Sequence, residues 1–377
     1  MQEHITGKGY YMITVKRYWR YFDWISFGIM IILSCIGLGF VFSATYRPEI
    51  PYSIFFKKQL LGSLSGLIIY FCACFLDYRT FCRWGFYAFF GVMGLLAFTI
   101  IKGSVGMGAQ RWINLLFFKV QPSELVKLFF PAFISYLIFW DKKEEGKPSL
   151  KTVAHVMGIL SLGTFLIVKQ PDLGTALIIL FSSFLILWLA GVCHRFFIIV
   201  AVACLLFLPL GWHLLHPYQQ KRIFVFLGQG EAQRERYQIE QSKIAIGSGS
   251  FTGKGFLQGT QNKLRFLPEG RTDFIFAVIC EELGFLGGIF VLLLFALLFT
   301  RLFFVIWSTK SLMARITAIG LCTHIMLATL INSAMVLGLL PIVGIPLPLL
   351  SYGICHTWTT LASLGMLNSI AIRRFYH

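Results

Sequence analysis

The sequence predicts an all-α integral membrane protein with about ten transmembrane helices and a large extracytoplasmic loop between helices 7 and 8. Hydrophobic residues make up 57% of the 377 residues and charged residues only 13%, whereas a soluble domain carries about 25% charged residues. The mean hydropathy is +0.75. A helix needs about 20 apolar residues to cross the hydrocarbon core. Apolar runs of that length are centred near Ile32, Ile68, Val92, Ala132, Leu162, Phe181, Cys204, Phe290, Met326 and Ser363.

The first run begins a single polytopic domain, residues 1–377, because it lacks the small-residue cleavage site of a secretory signal. The run near Leu162 is short, and the last run, near Ser363, is interrupted by polar residues. A polar loop of about residues 214–272 separates the seventh and eighth runs. This loop ends at Asp273, where the chain re-enters an apolar helix. A carboxylate is costly next to hydrocarbon, so Asp273 is expected to be functional.

The Lys and Arg residues of the short loops are concentrated on the side of the two termini, a bias that marks the cytoplasmic side. Both termini are therefore predicted in the cytoplasm and the long loop outside. The net charge is +17, and the share of it on the outer loop suits an anionic lipid headgroup or a pyrophosphate. A solvated loop attracted to anionic membrane lipid is the alternative, and nucleic acid is not an expected partner. The 9 cysteines include no C-x-x-C pair, so neither a disulfide framework nor a zinc site is predicted.

Three acidic residues stand where outward-facing helices begin: Glu124, Asp172 and Asp273. Each has a structural interpretation. Glu124 precedes Lys127 by three residues, so the two side chains share a helix face and can form an ion pair. Asp172 and Asp273 can each cap the helix that follows. The alternative is a polar cavity open to the outer leaflet, to which the neighbouring basic residues Arg111, Lys127 and Arg271 also contribute.

Three further segments lie near these positions. The glycine-rich tract 247–255 departs from the phosphate-loop pattern, and we interpret it as tight turns that present Lys254 and free backbone N–H groups to a phosphate. Glu281 and Glu282 follow Asp273 by two helical turns, about 12 Å deeper, and are predicted to make a structural polar contact. The proline-rich segment 339–348 predicts a bent outer loop that acts as a lid or re-entrant element.

The sequence resembles the SEDS family, the RodA and FtsW proteins. The resemblance is carried, in the family's order, by segments 111–113, 121–127, 170–176, 241–255, 267–284 and 339–353. It implies a ten-helix peptidoglycan glycosyltransferase that polymerises lipid II on the outer face of the bacterial inner (plasma) membrane. It also implies a partner transpeptidase, a class B penicillin-binding protein. The short N-terminus and segment 119–124 are closer to RodA than to FtsW, although an FtsW-like division polymerase remains the alternative.

By this resemblance Asp273 matches the family's essential acid, and Glu124 and Lys127 match its functional pair on the fourth helix. Two positions depart from the family pattern. Arg271 replaces the usual His before the Thr-Asp pair, and residues 354–356 replace the usual Gly-Ser after Ser351-Tyr352-Gly353. The predicted substrate-binding residues are Arg111, Gln121, Glu124, Lys127, Asp172, Ser242, Lys254 and Arg271.

The predicted reaction is an inverting glycosyl transfer in which Asp273 is the general base for the acceptor hydroxyl. Basic side chains or a divalent cation, Mg²⁺ or Mn²⁺, stabilise the leaving pyrophosphate. Asp273 is equally able to hold that cation, and the sequence does not separate the two roles. Two other classes stay open. A lipid II flippase or other transporter would use a similar cavity, and a scaffold that only activates a partner enzyme would not need Asp273.

Overall fold

The computed structural model describes residues 19–106, 109–114, 119–140, 148–214, 217–226, 233–264 and 266–374. It consists almost entirely of helices, which we number in chain order as α1 to α13. Their bounds are α1 Trp24–Thr45, α2 Ile54–Phe75, α3 Tyr78–Lys102, α4 Pro122–Trp140, α5 Leu150–Lys169, α6 Leu173–Leu189, α7 His194–Leu214, α8 Pro217–Phe226, α9 Gln233–Ser248, α10 Thr260–Lys263, α11 Ile275–Ser308, α12 Leu312–Val336 and α13 Ile354–Arg373.

Each of the ten predicted membrane runs falls in one helix of the set α1–α7 and α11–α13, so the predicted membrane fold is confirmed. Within the described residues, 7 helices are long and apolar enough to cross a membrane, namely α1 to α5, α11 and α12. Two shorter apolar helices are α6 and the His194–Phe207 part of α7. The run near Leu162, expected to be short, forms the 20-residue helix α5. The protein is thus a multi-pass membrane protein.

The expectation of a purely helical chain is wrong at one place, the loop between α3 and α4. Three short antiparallel strands form there: β1 Ser104–Gly106, β2 Ala109–Asn114 and β3 Lys119–Val120. Strand β2 pairs with both others. The strands are too short to show a period-two pattern in the sequence. Strand β2 carries Arg111.

The described residues of the long loop include the helices α8, α9 and α10, and its glycine-rich tract packs against α11. Helix α11 is interrupted at Gly284, whose φ is +68°. Around this break the N–H groups of Lys254 and Gly255 donate to the carbonyls of Glu281 and Glu282, at 3.1 and 2.9 Å. The prediction that the tract offers free N–H groups at these positions is therefore wrong, because these donors satisfy the carbonyls of a broken helix.

Glycine is required in this tract because the two backbones approach closely. A Cβ added at Gly249 would lie 2.0 Å from the Cys280 carbonyl oxygen, and one at Gly253 would lie 2.2 Å from that of Glu282. Gly253 also has a φ of +82°, which favours glycine. The tract therefore fixes the long loop to the N-terminal part of α11.

Glu281 and Glu282 make structural contacts, as predicted. Glu281 Oε1 accepts hydrogen bonds from the long loop, given by Lys254 Nζ at 2.7 Å, Thr260 Oγ1 at 3.1 Å and the Gln261 N–H at 2.9 Å. Glu282 accepts from Ser43 Oγ on α1 at 2.5 Å and from the Leu257 N–H at 3.0 Å. Both carboxylates are buried. The two acids join α11 to the loop that leads to Asp273.

Candidate active site

Asp273 lies two residues before α11 and does not cap it. The N-cap position is Phe274, and no side chain caps the helix. The backbone carbonyl of Asp273 accepts a hydrogen bond from Asn332 Nδ2 at 2.8 Å, and the same amide donates to the Ile345 carbonyl at 2.7 Å. Asn332 thus binds the segment before α11 to the proline-rich loop. Among the described residues, the Asp273 carboxylate itself has no hydrogen-bond donor, so the capping interpretation does not hold.

The environment of Asp273 raises the pKa of its carboxyl group above the value in water. Burial is the largest cause, and it raises the pKa of Asp273 from 3.8 to about 6, with the Glu269 carboxylate adding to the effect. The guanidinium groups of Arg222 and Arg111 oppose it, and the charge of Asp172 raises it slightly further. A carboxylate with this pKa is mostly ionised at neutral pH yet more basic than an ordinary aspartate.

The Asp172 carboxylate, unlike that of Asp273, accepts hydrogen bonds at both of its oxygens. Its Oδ1 accepts from the Thr175 N–H at 3.2 Å and so caps α6. Its Oδ2 accepts from Gln121 Nε2 at 3.0 Å and from Ser123 Oγ at 3.2 Å. The capping interpretation of Asp172 is confirmed, and Gln121 joins the start of α4 to the start of α6.

Two arginines approach Asp273 from separate elements. Arg111 on β2 donates from Nε to the Gln170 carbonyl at 2.6 Å and from Nη2 to the Pro171 carbonyl. Arg222 on α8 donates from Nη1 to the Ile342 carbonyl at 3.1 Å. Sequence reasoning missed Arg222, because it is one of many basic residues in the long loop. A guanidinium has five N–H donors, so each arginine can bind backbone and still contribute positive charge beside Asp273.

Glu124 and Lys127 form the predicted ion pair, with Nζ 2.6 Å from Oε1. The side chains are 6% and 2% exposed, which is unusual for an ion pair and requires further hydrogen bonds. These come from α13, where His356 Nδ1 and Thr359 Oγ1 each lie 3.1 Å from Glu124 Oε2. His356 was seen in the sequence only as a departure from the family pattern. The structure makes it a direct partner of Glu124, a contact that separation along the chain conceals.

The other predicted substrate-binding residues make contacts of their own. Lys254 donates to Ser248 Oγ and Thr260 Oγ1 as well as to Glu281, each at 2.7 Å. Ser242 is buried and donates to the Val336 carbonyl at 2.8 Å, which holds α9 against the end of α12. The Arg271 guanidinium carbon lies 3.9 Å from the centroid of the Phe55 ring. The structure therefore brings the charges of Arg111, Asp172 and Arg222 near Asp273, with Gln121 bound to Asp172, and it gives Lys254 and Ser242 contacts that hold the loop.

The donor set fits a divalent cation in one way only. Across the residues that the structure describes, no group of three or more His, Cys, Asp or Glu side chains could hold a metal ion. Mg²⁺ commonly binds through one or two carboxylates with substrate phosphates and water completing the shell. Asp273, whose carboxylate accepts no hydrogen bond from the described residues, fits that mode.

Comparison with known proteins places this arrangement in a family. Residues 23–375 match the FTSW_RODA_SPOVE model, described as cell cycle protein, and the chain belongs to that family. The peptidoglycan glycosyltransferase MrdB of Escherichia coli K12 is 36% identical over 320 residues, covering 84% of this chain and 86% of the relative. The protein of the same name from Helicobacter pylori 26695 is 35% identical over 368 residues, covering 96% and 92%.

Solved structures show the same fold. A chain from a peptidoglycan synthase complex that coordinates polymerization and crosslinking superimposes with a TM-score of 0.78 at 25% identity, covering 94% of this chain and 99% of that one. The rod shape determining protein RodA of Thermus thermophilus superimposes with a TM-score of 0.70 at 24% identity, covering 94% and 98%. The resemblance stated from the sequence is therefore confirmed.

Proposed function

We infer that this chain is a peptidoglycan glycosyltransferase that polymerises lipid II into glycan strands. Curated relatives that carry the enzyme's name span most of the chain. The observation that carries the assignment is the environment of Asp273. Of the three acids at outward helix starts, Glu124 and Asp172 are held by donors, whereas Asp273 accepts no hydrogen bond from the described residues and has a pKa raised to about 6. A general base requires a carboxylate that is free to accept a proton and has a pKa near the working pH.

The proposed reaction joins two lipid-linked saccharides. The 4-hydroxyl of the acceptor attacks the anomeric carbon of the donor, and the hydroxyl proton passes to the Asp273 carboxylate. The bond from that carbon to the pyrophosphate oxygen breaks, undecaprenyl pyrophosphate leaves with the bonding electrons, and the configuration inverts from α to β. Arg111 and Arg222 are close enough to Asp273 for their positive charges to lower its pKa. The same charges stabilise the leaving pyrophosphate.

As the alternative role for Asp273, we propose that its carboxylate holds a divalent cation, Mg²⁺ or Mn²⁺, instead of taking the acceptor proton. When bound, such an ion withdraws negative charge from the pyrophosphate. A direct test is the melting temperature of wild-type protein with and without Mn²⁺ and a pyrophosphate analogue. A rise that disappears in Asp273→Ala supports the proposal, and an equal rise in both proteins contradicts it.

The orientation and partner follow from the same reasoning. We propose that both termini are cytoplasmic and that Asp273 faces the outside of the bacterial plasma membrane, because the Lys and Arg bias of the short loops favours this orientation. Polymer made there must be crosslinked, so we propose a class B penicillin-binding protein as partner. The solved peptidoglycan synthase complex that shares this fold supports the pairing. Relatives named MrdB favour a role in elongation and cell shape.

The deciding experiment is lipid II polymerisation by purified protein with its transpeptidase partner and a divalent cation. Glycan from wild type, with at least a hundredfold loss in a stably folded Asp273→Ala variant, is expected from general-base catalysis. Equal glycan from both proteins would remove Asp273 from the chemistry. Lipid II crossing the bilayer without glycan would indicate a transporter, and neither activity would indicate a scaffold for another enzyme.

A further inference from the structure

A cavity lies beside the Asp273 site. Its volume is about 1040 Å³, and its walls come from two separate parts of the chain. One wall is the outer end of α1, the loop after it and the start of α2, residues 43–50 and 53–55. The other wall is made by residues of the long loop between 257 and 271, together with Glu282 of α11. Small-molecule sites enclose about 300–1,000 Å³, so the cavity has room for a large polar headgroup.

The charges that line this cavity are mixed. Arg47, Lys263 and Arg271 contribute three positive charges, and the acids are Glu49, Glu269 and Glu282. The three cations and three acids therefore cancel in net charge, and Glu282 is already bound by Ser43 Oγ and the Leu257 N–H. Such a lining suits a ligand with sugar hydroxyls and a diphosphate together, because carboxylates accept from hydroxyls and cations bind phosphate oxygens.

The cavity opens where a lipid-anchored ligand can reach it. Arg47 and Lys263 are exposed and stand on opposite walls. Ile50, which lines the cavity, is 60% exposed. Tyr52, next to the lining residue Ser53, is 61% exposed, and Leu264, next to Lys263, is 63% exposed. Apolar and aromatic groups at the outer ends of membrane helices lie in the interfacial layer. A polyprenyl tail can therefore stay in the bilayer while the headgroup enters the cavity.

The inner wall connects the cavity to the catalytic centre through Glu269. This residue lines the cavity, lies four positions before Asp273, and is close enough for its charge to act on the Asp273 carboxylate. Glu269 has a φ of +55°, a conformation that costs a non-glycine residue energy and is often found at functional sites. Arg271, two positions before Asp273, lines the same wall with its guanidinium over Phe55.

We propose that this cavity, called here the α1–α2 cavity, binds the headgroup of the glycosyl acceptor, while the pyrophosphate of the donor lies on the Arg111 and Arg222 side of Asp273. The proposal rests on the proposed function, since a polymerase must hold two lipid-linked substrates at once. Glu269 and Arg271 hold the acceptor sugar so that its hydroxyl reaches Asp273, and Arg47 and Lys263 bind the acceptor diphosphate at the mouth.

The test separates occupancy from catalysis. A photo-crosslinking amino acid replaces Tyr52 in an Asp273→Ala background, which prevents polymer formation, and the protein is reconstituted with radiolabelled lipid II in phosphatidylglycerol vesicles. Ile101 at the outer end of α3, 76% exposed and outside the cavity, is the matched control position. Saturable crosslinking at position 52 that unlabelled lipid II displaces, well above that at position 101, is expected. Crosslinking no higher than at the control, or displaced equally by added phosphatidylglycerol, overturns the proposal and identifies an ordinary lipid contact.

Charge reversal provides the second arm. Arg47→Glu combined with Lys263→Glu is expected to reduce crosslinking and to raise the KM for lipid II about tenfold, the size of a lost charged hydrogen bond. The rate at saturating lipid II should change little. Lys57→Glu combined with Lys58→Glu makes the same charge change at exposed positions of α2 outside the cavity and should leave both unchanged. An equal effect of this control pair would reduce the result to general attraction of anionic lipid. Crosslinking at position 52 combined with a wild type that makes no glycan would refute the enzyme assignment and leave the site standing.

Discussion

Replacing Asp273 by alanine should abolish glycan synthesis without destabilising the protein. The carboxylate accepts no hydrogen bond from the described residues, and no side chain caps α11, so no stabilising contact of the carboxylate is lost. Its pKa is raised from 3.8 to about 6, which means that the folded state disfavours the charged form. Each pH unit corresponds to about 1.4 kcal/mol. At pH 7.5 the ionised side chain therefore destabilises the fold by at most about 3 kcal/mol, and solvent at this partly exposed site reduces that figure.

The sign of the pH dependence follows from the raised pKa. Below about pH 4 the carboxyl is protonated in both the folded and the unfolded protein, and it costs no stability. Between its unfolded value of 3.8 and about 6 the folded state binds more protons, so stability falls as pH rises through this window. The alanine variant lacks this loss. Its melting temperature at pH 7.5 should equal or exceed that of wild type.

Asp172→Ala is the matched control, because Asp172 caps α6 and accepts three hydrogen bonds. Loss of a cap costs about 1 kcal/mol, and leaving buried donors unpaired costs about 1–3 kcal/mol more. The melting temperature, followed by intrinsic fluorescence in detergent, should therefore fall in Asp172→Ala and stay equal or rise in Asp273→Ala. Glycan synthesis is measured on the same preparations. A lower melting temperature for Asp273→Ala with retained glycan synthesis would refute the reasoning.

Three further substitutions test other parts of the site. His356→Ala removes a donor to the buried carboxylate of α4 and should lower stability by about 1.5–3 kcal/mol; His356→Asn, which keeps a donor near Nδ1, should restore most of it in the same melting assay. Glu269→Gln removes a charge that raises the pKa of Asp273, so the acidic limb of the rate profile should move to lower pH, and an unmoved limb would contradict the coupling. Gly253→Ala, with a φ of +82° and a backbone oxygen 2.2 Å from the added Cβ, should lower the melting temperature strongly. Gly247→Ala in the same tract meets nothing within 4 Å and should not.

The sequence predicted the membrane helices well because hydrophobic burial in a bilayer depends on composition over about 20 residues. It placed Glu124 beside Lys127 for the similar reason that neighbours on one helix turn are fixed by helix geometry. It did not predict the strands around Arg111, which are only 3, 6 and 2 residues long. It also missed His356, because its contact with Glu124 joins positions separated by 232 residues. Tertiary contacts of this kind leave no periodic pattern.

A local sequence pattern does not distinguish the roles of Asp172 and Asp273. Asp172 and Asp273 occupy similar positions before apolar helices, and both could cap the helix that follows. The difference arises from the elements packed around them. Asp172 faces Gln121 and Ser123 at the start of α4, whereas Asp273 faces the proline-rich loop, where a Cβ added at Gly344 would lie 3.6 Å from Asp273 Oδ2.

The loops that form the site are held by amides because backbone groups outside helices must find partners in a medium with little water. Asn332 donates to the carbonyls of Asp273 and Ile345. Gln59 on α2 accepts from the Gly353 N–H at 3.0 Å and donates to the Ser351 carbonyl at 3.4 Å. Each amide joins a loop to a rigid helix, so the position of Asp273 depends on residues that carry no charge. Buried Asn and Gln within apolar runs are therefore the sequence signal that would have located these loops, since such groups are costly in a membrane unless they bind backbone.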